Sequence, residues 1–188
     1  MLTPRERAGI EPAPLSELAA DAAASTVDRL RDAYGNAYLL LDADFVTPCE
    51  QFDGLPTAVA EVSTVQRSTR LPRLRIFAIR KSTRNFEPVI TLGRLPSCDL
   101  VIAHPSVSAC HALFIATEQC VALYDAGSTN GTTINGDPVP LRSDARPLPL
   151  APLSRIRFGS VETTYLDAER LLALIEFSRQ HPDGEHTT

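Results

Sequence analysis

The twelve residues Asp125-Ala126-Gly127-Ser128-Thr129-Asn130-Gly131-Thr132-Thr133-Ile134-Asn135-Gly136 decide how this chain is read. Two Asn-Gly pairs and a further glycine bracket a short run, Thr132 to Ile134. Asn-Gly suits the positive-φ positions of tight hairpin turns. The stretch thus predicts a loop, a short strand and a turn in quick succession.

The same texture extends on both sides. Short apolar runs recur at Leu74 to Ile79, Val89 to Leu92, Leu100 to Ile102, Ala112 to Ala116, Val121 to Tyr124, Ile156 to Phe158 and Val161 to Leu166. Pro88, Gly93, Pro96, Pro105, Gly127, Pro147 and Gly159 separate nearly all of them, the punctuation of hairpins and loops. Alternation such as Arg73-Leu74-Arg75-Ile76 predicts strands with one buried side. The expectation is an all-β sandwich over residues 71–166.

Flanking segments differ. Residues 1–46 form an N-terminal arm, partly helical: Leu15, Leu18, Ala19, Ala22, Val27 and Leu30 recur at helical spacings, from a start at Pro14 or Ser16 to a stop at Gly35. Ala37 to Val46 reads as a strand or as a recognition segment. Residues 47–70 are rich in Pro, Gly, Ser, Thr and Gln and read as a linker. Residues 167–188 hold a C-terminal helix and tail, with Leu171, Leu174, Ile175 and Ser178 on one face and His181-Pro182-Asp183-Gly184 as the stop.

Composition bounds the function. At 188 residues the chain holds one ordinary domain plus something smaller, with near-average apolar and charged content. No apolar run approaches the roughly 20 residues that span a bilayer. Arg5 and Arg7 precede no apolar signal core, so a cytoplasmic location is the default expectation. Net charge is -5, but residues 71–166 carry 10 Lys/Arg against 7 Asp/Glu between acidic flanks. A locally cationic domain in an acidic chain favours a small anionic ligand over a nucleic-acid backbone. Cys49, Cys98, Cys110 and Cys120 show no framework spacing and read as reduced thiols.

Three groups of loop residues, in order and at their spacing, carry a resemblance. They are Gly93-Arg94, Ser108-Ala109-Cys110-His111, and the stretch from Asp125 to Gly136. Together they resemble the forkhead-associated domain, whose consensus runs Gly-Arg, Ser-x-x-His, then Asp-x-Gly-Ser-Thr-Asn-Gly-Thr-x-x-Asn-Gly. The resemblance covers roughly Leu71 to Leu166 and implies a forkhead-associated-type β-sandwich, here with a C-terminal helix and a partly helical arm before it. It implies a phosphothreonine-dependent binding module in Ser/Thr-kinase signalling or phospho-dependent assembly, with no catalysis, cofactor or metal. The partner it implies is a phosphothreonine-containing protein or peptide, such as a Ser/Thr kinase or its substrate, with no nucleic acid and no membrane; oligomeric state stays open.

A phosphorylated side chain brings about -1.5 to -2 charges and three acceptor oxygens, so its receptor needs donors. Arg94 offers a charged fork, Ser108 a hydroxyl, and the N–H groups around Ala109 or Thr129 further donors. By resemblance, Arg94, Ser108 and Thr129 address the phosphate while Asn130 holds the peptide main chain. Gly93, His111, Gly131, Asn135 and Gly136 fall to structural support. The family commonly has Arg or Asn after the serine, where this chain has Ala109. A lost hydrogen bond to a charged group costs about 1.5–3 kcal/mol, which lowers affinity without removing the binding mode.

Competing readings are a phospho-independent scaffold on the same sandwich and, remotely, a Cys/His enzyme. Cys110 and His111 are sequence neighbours whose side chains would point to opposite faces of a strand. Cys98, His104, Cys110, His111 and Cys120 fit no zinc spacing. Thr47, Thr57, Thr64 and Thr69 lie in or near the linker, where a kinase would turn one into a ligand in cis or in trans, or where they are ordinary linker residues.

Overall fold

The computed structural model of the chain describes residues 13–21, 26–42, 74–81, 89–117, 120–143 and 146–180. The linker expected at 47–70, Cys49, and the stop and tail beyond Gln180 lie outside the described residues. In chain order the elements are β1 (Ala13–Pro14), α1 (Leu15–Ala20), α2 (Val27–Tyr34), β2 (Ala37–Asp42), β3 (Leu74–Ala78), β4 (Ile90–Gly93), β5 (Leu100–Val101) and β6 (Ala112–Ala116). There follow β7 (Val121–Asp125), β8 (Thr132–Ile134), β9 (Asp137–Pro138), β10 (Leu148–Pro149), β11 (Arg155–Phe158), β12 (Val161–Asp167) and α3 (Ala168–Gln180).

The strands form two sheets, ordered β1-β3-β2-β12-β11-β8-β9 and β10-β7-β6-β4-β5. Every pairing is antiparallel except β4 with β5. The fold is an all-β sandwich of the expected type, with a partly helical N-terminal region and a C-terminal helix. Between the sheets lie Leu39, Leu41, Phe77, Leu92, Phe114, Leu123, Ile156 and Phe158, all essentially inaccessible to water.

One expectation shifts. The sandwich begins upstream of residue 71, because Ala37–Asp42 is an interior strand of the larger sheet, between β3 and β12. The continuous apolar run from Ala37 to Leu41 has a physical reason: both of its faces are buried. Ala37, Leu39 and Leu41 face the sandwich interior. Tyr38 and Leu40 enter a second core under the helices, with Leu15, Leu18, Leu30, Leu171 and Ile175. The alternation in β3 divides likewise, Leu74 and Ile76 going to the helical layer and Phe77 to the sandwich. The single helix expected from Leu15 to Tyr34 is two, since the backbone at Asp21 turns extended and Thr26 caps a new start by accepting from the Arg29 N–H at 3.3 Å. Gly35 ends α2 at φ 95°, as its type predicts. A six-residue helix such as α1 is unstable alone. Here α3 holds it, Arg179 donating to the carbonyls of Ala19 at 2.7 Å and Asp21 at 3.2 Å.

Asp99 is fully buried, and nothing in its sequence context announces this. Its carboxylate accepts from the Thr91 N–H at 2.8 Å, the Thr91 hydroxyl at 2.9 Å and Lys81 Nζ at 2.9 Å. Lys81 is the only lysine in the chain, and it also donates to the Val89 carbonyl at 2.8 Å. Removing one side of such a buried pair costs about 3–5 kcal/mol, since the partners stay desolvated. Asp99→Ala is accordingly expected to lower unfolding free energy by about 3 kcal/mol, read from the urea midpoint. A midpoint unchanged from wild type would show that the pair holds nothing.

Candidate functional site

Strand register collects the functional loops at one end of the sandwich. Leu92 pairs with Ala112 and Ala112 with Asp125, so the end of β4, the start of β6 and the end of β7 share a level. Phe158 pairs with Thr132 and with Val161, which brings the start of β8 and the β11–β12 turn to the matching edge of the other sheet. The expected residues from Gly93 to Gly131 therefore come together, while Asn135 and Gly136 lie past the far end of β8, beside Arg155.

Gly93 makes the first approach possible. A Cβ there would run into the Ala109 carbonyl oxygen and stand 2.9 Å from Cys110 Cα. Without that side chain the 102–111 segment lies across the strand end, where the Arg94 N–H donates to the Ser108 carbonyl at 2.9 Å and the Leu95 N–H to the Ala109 carbonyl at 3.2 Å. Arg94 is exposed. Its Nε donates to the Val107 carbonyl at 3.2 Å, which orients the guanidinium and, among the described residues, leaves both Nη groups for an outside acceptor.

Ser108 and Thr129 meet directly. The Thr129 N–H donates to Ser108 Oγ at 3.0 Å, and the Ser108 hydroxyl reaches Thr129 Oγ1 at 3.5 Å. The second contact is at the limit of a hydrogen bond, so that proton transfers its bond readily to a better acceptor such as a phosphate oxygen. The Thr129 N–H, expected as a donor to ligand, is already spent on Ser108, which leaves the Thr129 hydroxyl as the donor it still presents among the described residues. Ala109 is exposed with no polar side chain to offer. Asn130 is exposed and its Nδ2 donates to the Ser106 carbonyl at 2.8 Å, which leaves Oδ1 to accept from a peptide N–H.

Beneath these residues His111 acts as a strut. Its Nδ1 accepts from the Ser108 N–H at 3.0 Å while Nε2 lies 3.2 Å from the Gly131 carbonyl, so Nε2 carries the proton and the ring is neutral. The ring is fully buried and stands edge-on to Phe158 at 5.9 Å. Burial pushes its pKa down, against smaller upward pulls from the Gly131 bond and the Asp125 charge. A histidine with a depressed folded pKa binds its proton more readily when unfolded, so its contribution is complete above about pH 6.5 and is lost as pH falls towards the folded value. Wild type is therefore expected to lose thermal stability between about pH 7 and 5, and His111→Gln to lose less over that window. Equal slopes for the two in a thermal melt series would contradict this.

Asn135 and Gly136 both take positive φ, at 53° and 95°, as a tight β8–β9 turn requires. Asn135 is also pinned to β11, its Oδ1 accepting from the Arg155 N–H at 2.9 Å and its own N–H donating to the Arg155 carbonyl at 2.8 Å. Gly131, at φ 74°, receives both the His111 contact and the Gly159 N–H at 3.0 Å.

Two features escaped the sequence reading. Asp125 is buried and accepts from the N–H groups of Gly127 (2.8 Å) and Ser128 (2.6 Å), the Ser128 hydroxyl (2.7 Å) and the Thr132 hydroxyl (2.6 Å). Its signal was present: an Asp followed at two and three residues by Gly and Ser is an Asx-turn pattern. Ser106 left no such signal. Its hydroxyl accepts from the Ser160 N–H at 3.0 Å and lies 2.8 Å from His104 Nδ1, and a Cβ on Gly159 would collide with its carbonyl. This contact spans 54 residues and ties the β11–β12 turn to the site.

A concavity of about 780 Å³ lies elsewhere, against Val89, Thr91, Leu113, Gly127, Leu141 and Arg142. Arg94, Ser108 and Thr129 do not line it. The candidate site is thus a set of donors on a loop surface rather than a deep pocket.

Residues 90–159 match the family model of the FHA domain. Over that segment the chain resembles the FHA domain. That match spans β4 to the β11–β12 turn and includes every loop described above. Among the described residues no three His, Cys, Asp or Glu side chains cluster as metal ligands. No described helix is long and apolar enough to cross a membrane. A search of curated proteins finds none that matches the chain. Among solved structures, the chain is similar to one from a structural and functional analysis of phosphothreonine-dependent FHA domain interactions, with 21% identity over 70% of this chain and 95% of that one, at a TM-score of 0.43. The FHA domain of CT664 from Chlamydia trachomatis is 17% identical over 70% and 97% of the two chains, at 0.44. Mycobacterium tuberculosis EmbR in complex with a low-affinity phosphopeptide is 19% identical over 70% and 24%, at 0.39.

Proposed function

We propose that this chain carries an FHA domain that binds phosphothreonine-containing proteins or peptides, in Ser/Thr-kinase signalling or phospho-dependent assembly in the cytoplasm. One observation carries the reading: the Arg94 fork, the Ser108 and Thr129 hydroxyls and the Asn130 amide are presented together on loops cross-tied by Ser108–Thr129 and Asn130–Ser106 bonds. Donors fixed before the ligand arrives spare it much of the ordering cost of binding. Charge-assisted bonds from a planar guanidinium suit a phosphate dianion, and the acceptor Oδ1 of Asn130 suits the adjacent main chain.

The test is titration of the full chain with an oriented library of phosphothreonine peptides beside their unphosphorylated forms. Binding of the phosphorylated set alone, abolished by phosphatase, is the expected result. Equal retention of both sets would sink the proposal. It would also favour the phospho-independent scaffold, to which the bare Ala109 side chain and the committed Nδ2 of Asn130 give some support.

A further inference from the structure

Cys98 and Cys110 stand on the two loops that carry Arg94 and Ser108. Strand register brings them together. Leu92 pairs with Ala112, and continuing that antiparallel ladder puts Arg94 level with Cys110, whose Cα packs so closely on Gly93 that a Cβ there would stand 2.9 Å from it. The chain beyond Arg94 then folds back, the Cys98 N–H donating to the Leu95 carbonyl at 3.0 Å. That turn delivers the Cys98 thiol to the Ala109 carbonyl, at 3.3 Å, one peptide unit from Cys110. The two thiols are in hydrogen-bonding contact. Both are reduced, Cys98 buried and Cys110 exposed. Cys120 is placed differently: it is exposed at the opposite end of β6, in the turn to β7, with its sulfur 3.5 Å from Thr117 Oγ1.

We infer that Cys98 and Cys110 are a peroxide-oxidisable pair whose disulfide staples the Arg94 turn to the Ser108–His111 segment. Cys110 reacts first, because it is the thiol open to solvent. The Cys110 thiol, together with burial, pushes the Cys98 pKa up, so Cys98 keeps its proton until its neighbour has reacted. The Cys110 sulfur attacks one oxygen of hydrogen peroxide, the O–O bond breaks, and the departing hydroxide leaves as water with the thiol proton. Sulfur is oxidised to a sulfenic acid and the peroxide is reduced. The Cys98 sulfur then attacks the Cys110 sulfur, the S–S bond forming as the S–O bond breaks, and the hydroxide takes the Cys98 proton to give a second water. Two thiols already in contact need little backbone movement to close a bond of about 2 Å. An external dithiol reverses the step.

The experiment treats the full chain, carrying Cys49→Ser and Cys120→Ser so that this pair alone remains, with hydrogen peroxide, and reads intact mass, a non-reducing peptide map and the melting temperature. A monomer lighter by two hydrogens, with Cys98 linked to Cys110 and both thiols restored by dithiothreitol, is the expected result. The link closes a loop of about a dozen residues, so the melting temperature should rise by about 5–10 °C. Cys98→Ser, which keeps a donor for the Ala109 carbonyl, should halt at a sulfenic acid on Cys110 that dimedone traps. Cys110→Ser should leave the buried Cys98 unreacted at the same peroxide dose. Oxygen added at Cys110 in the chain that keeps both thiols, with no link to Cys98, would overturn the inference. So would a dimer joined through Cys110, or two thiols that still titrate after treatment.

Discussion

Arg94→Ala is expected to weaken phosphothreonine-peptide binding by about a hundredfold while leaving the melting temperature nearly unchanged. A hydrogen bond to a charged group contributes about 1.5–3 kcal/mol, and a fork making two to one phosphate sits at the upper end. Each 1.4 kcal/mol is about tenfold in affinity. The fold has little to lose, because Arg94 is exposed and its described side-chain bond is the 3.2 Å contact to the Val107 carbonyl. Arg94→Lys should recover only part of the affinity, since an ammonium keeps the charge but not the fork. Calorimetric titration against one library peptide would show this series. An Arg94→Ala protein that binds like wild type would remove the phosphate from this position altogether.

Asp125→Ala is expected to cost about 3–4 kcal/mol of stability and, with it, phosphopeptide binding. The carboxylate gathers four donors within three residues before and after the Ser128-Thr129 turn, and the Thr132 hydroxyl among them is itself buried. Truncation strands them all. Gly127 and Ser128 can turn to water, but only by giving up the loop shape that sets Thr129 against Ser108. Asp125→Asn should fall between, as its NH₂ faces groups that also donate. Burial pushes the Asp125 pKa up, yet the bonds from Thr132, Ser128 and Gly127 outweigh it and hold the carboxyl below its usual range. The sign follows: the contribution is complete above about pH 3.9 and is lost as pH falls through the lower folded value. Chemical unfolding at pH 7 and at pH 3 would check both statements. Wild type and Asp125→Ala should converge at the lower pH, and a gap of equal size at both would contradict the assignment.

Much of the sandwich was legible from sequence because its strands are short and flanked by residues with strong turn preferences. Ala112–Ala116 coincides with the run read from sequence, and Val121–Asp125 and Val161–Asp167 each extend theirs by one residue. Two-residue strands such as β9 and β10 leave no periodicity to read. The N-terminal boundary was harder for a different reason. Periodicity reports how many faces of an element are buried, and β2, covered on both, shows none. Its membership in the sheet depends on strands 36 and more than 120 residues away.

The site divides along the same line. Gly93, Arg94, Ser108, His111, Thr129, Asn130 and Gly131 were picked out by local motif, because backbone turns and charged forks are written in consecutive residues. The use each residue is put to was not. The Thr129 N–H is spent on Ser108, the Asn130 amide is partly spent on Ser106, and His111 is a neutral strut between two loops. What the sequence alone determined is the fold class and the roster of loop residues, since turn chemistry and short-range alternation are local properties. Only the tertiary structure decided which donors remain for a ligand. Hydrogen-bond partners and strand levels are set by contacts between residues far apart in the chain, and no local pattern encodes those.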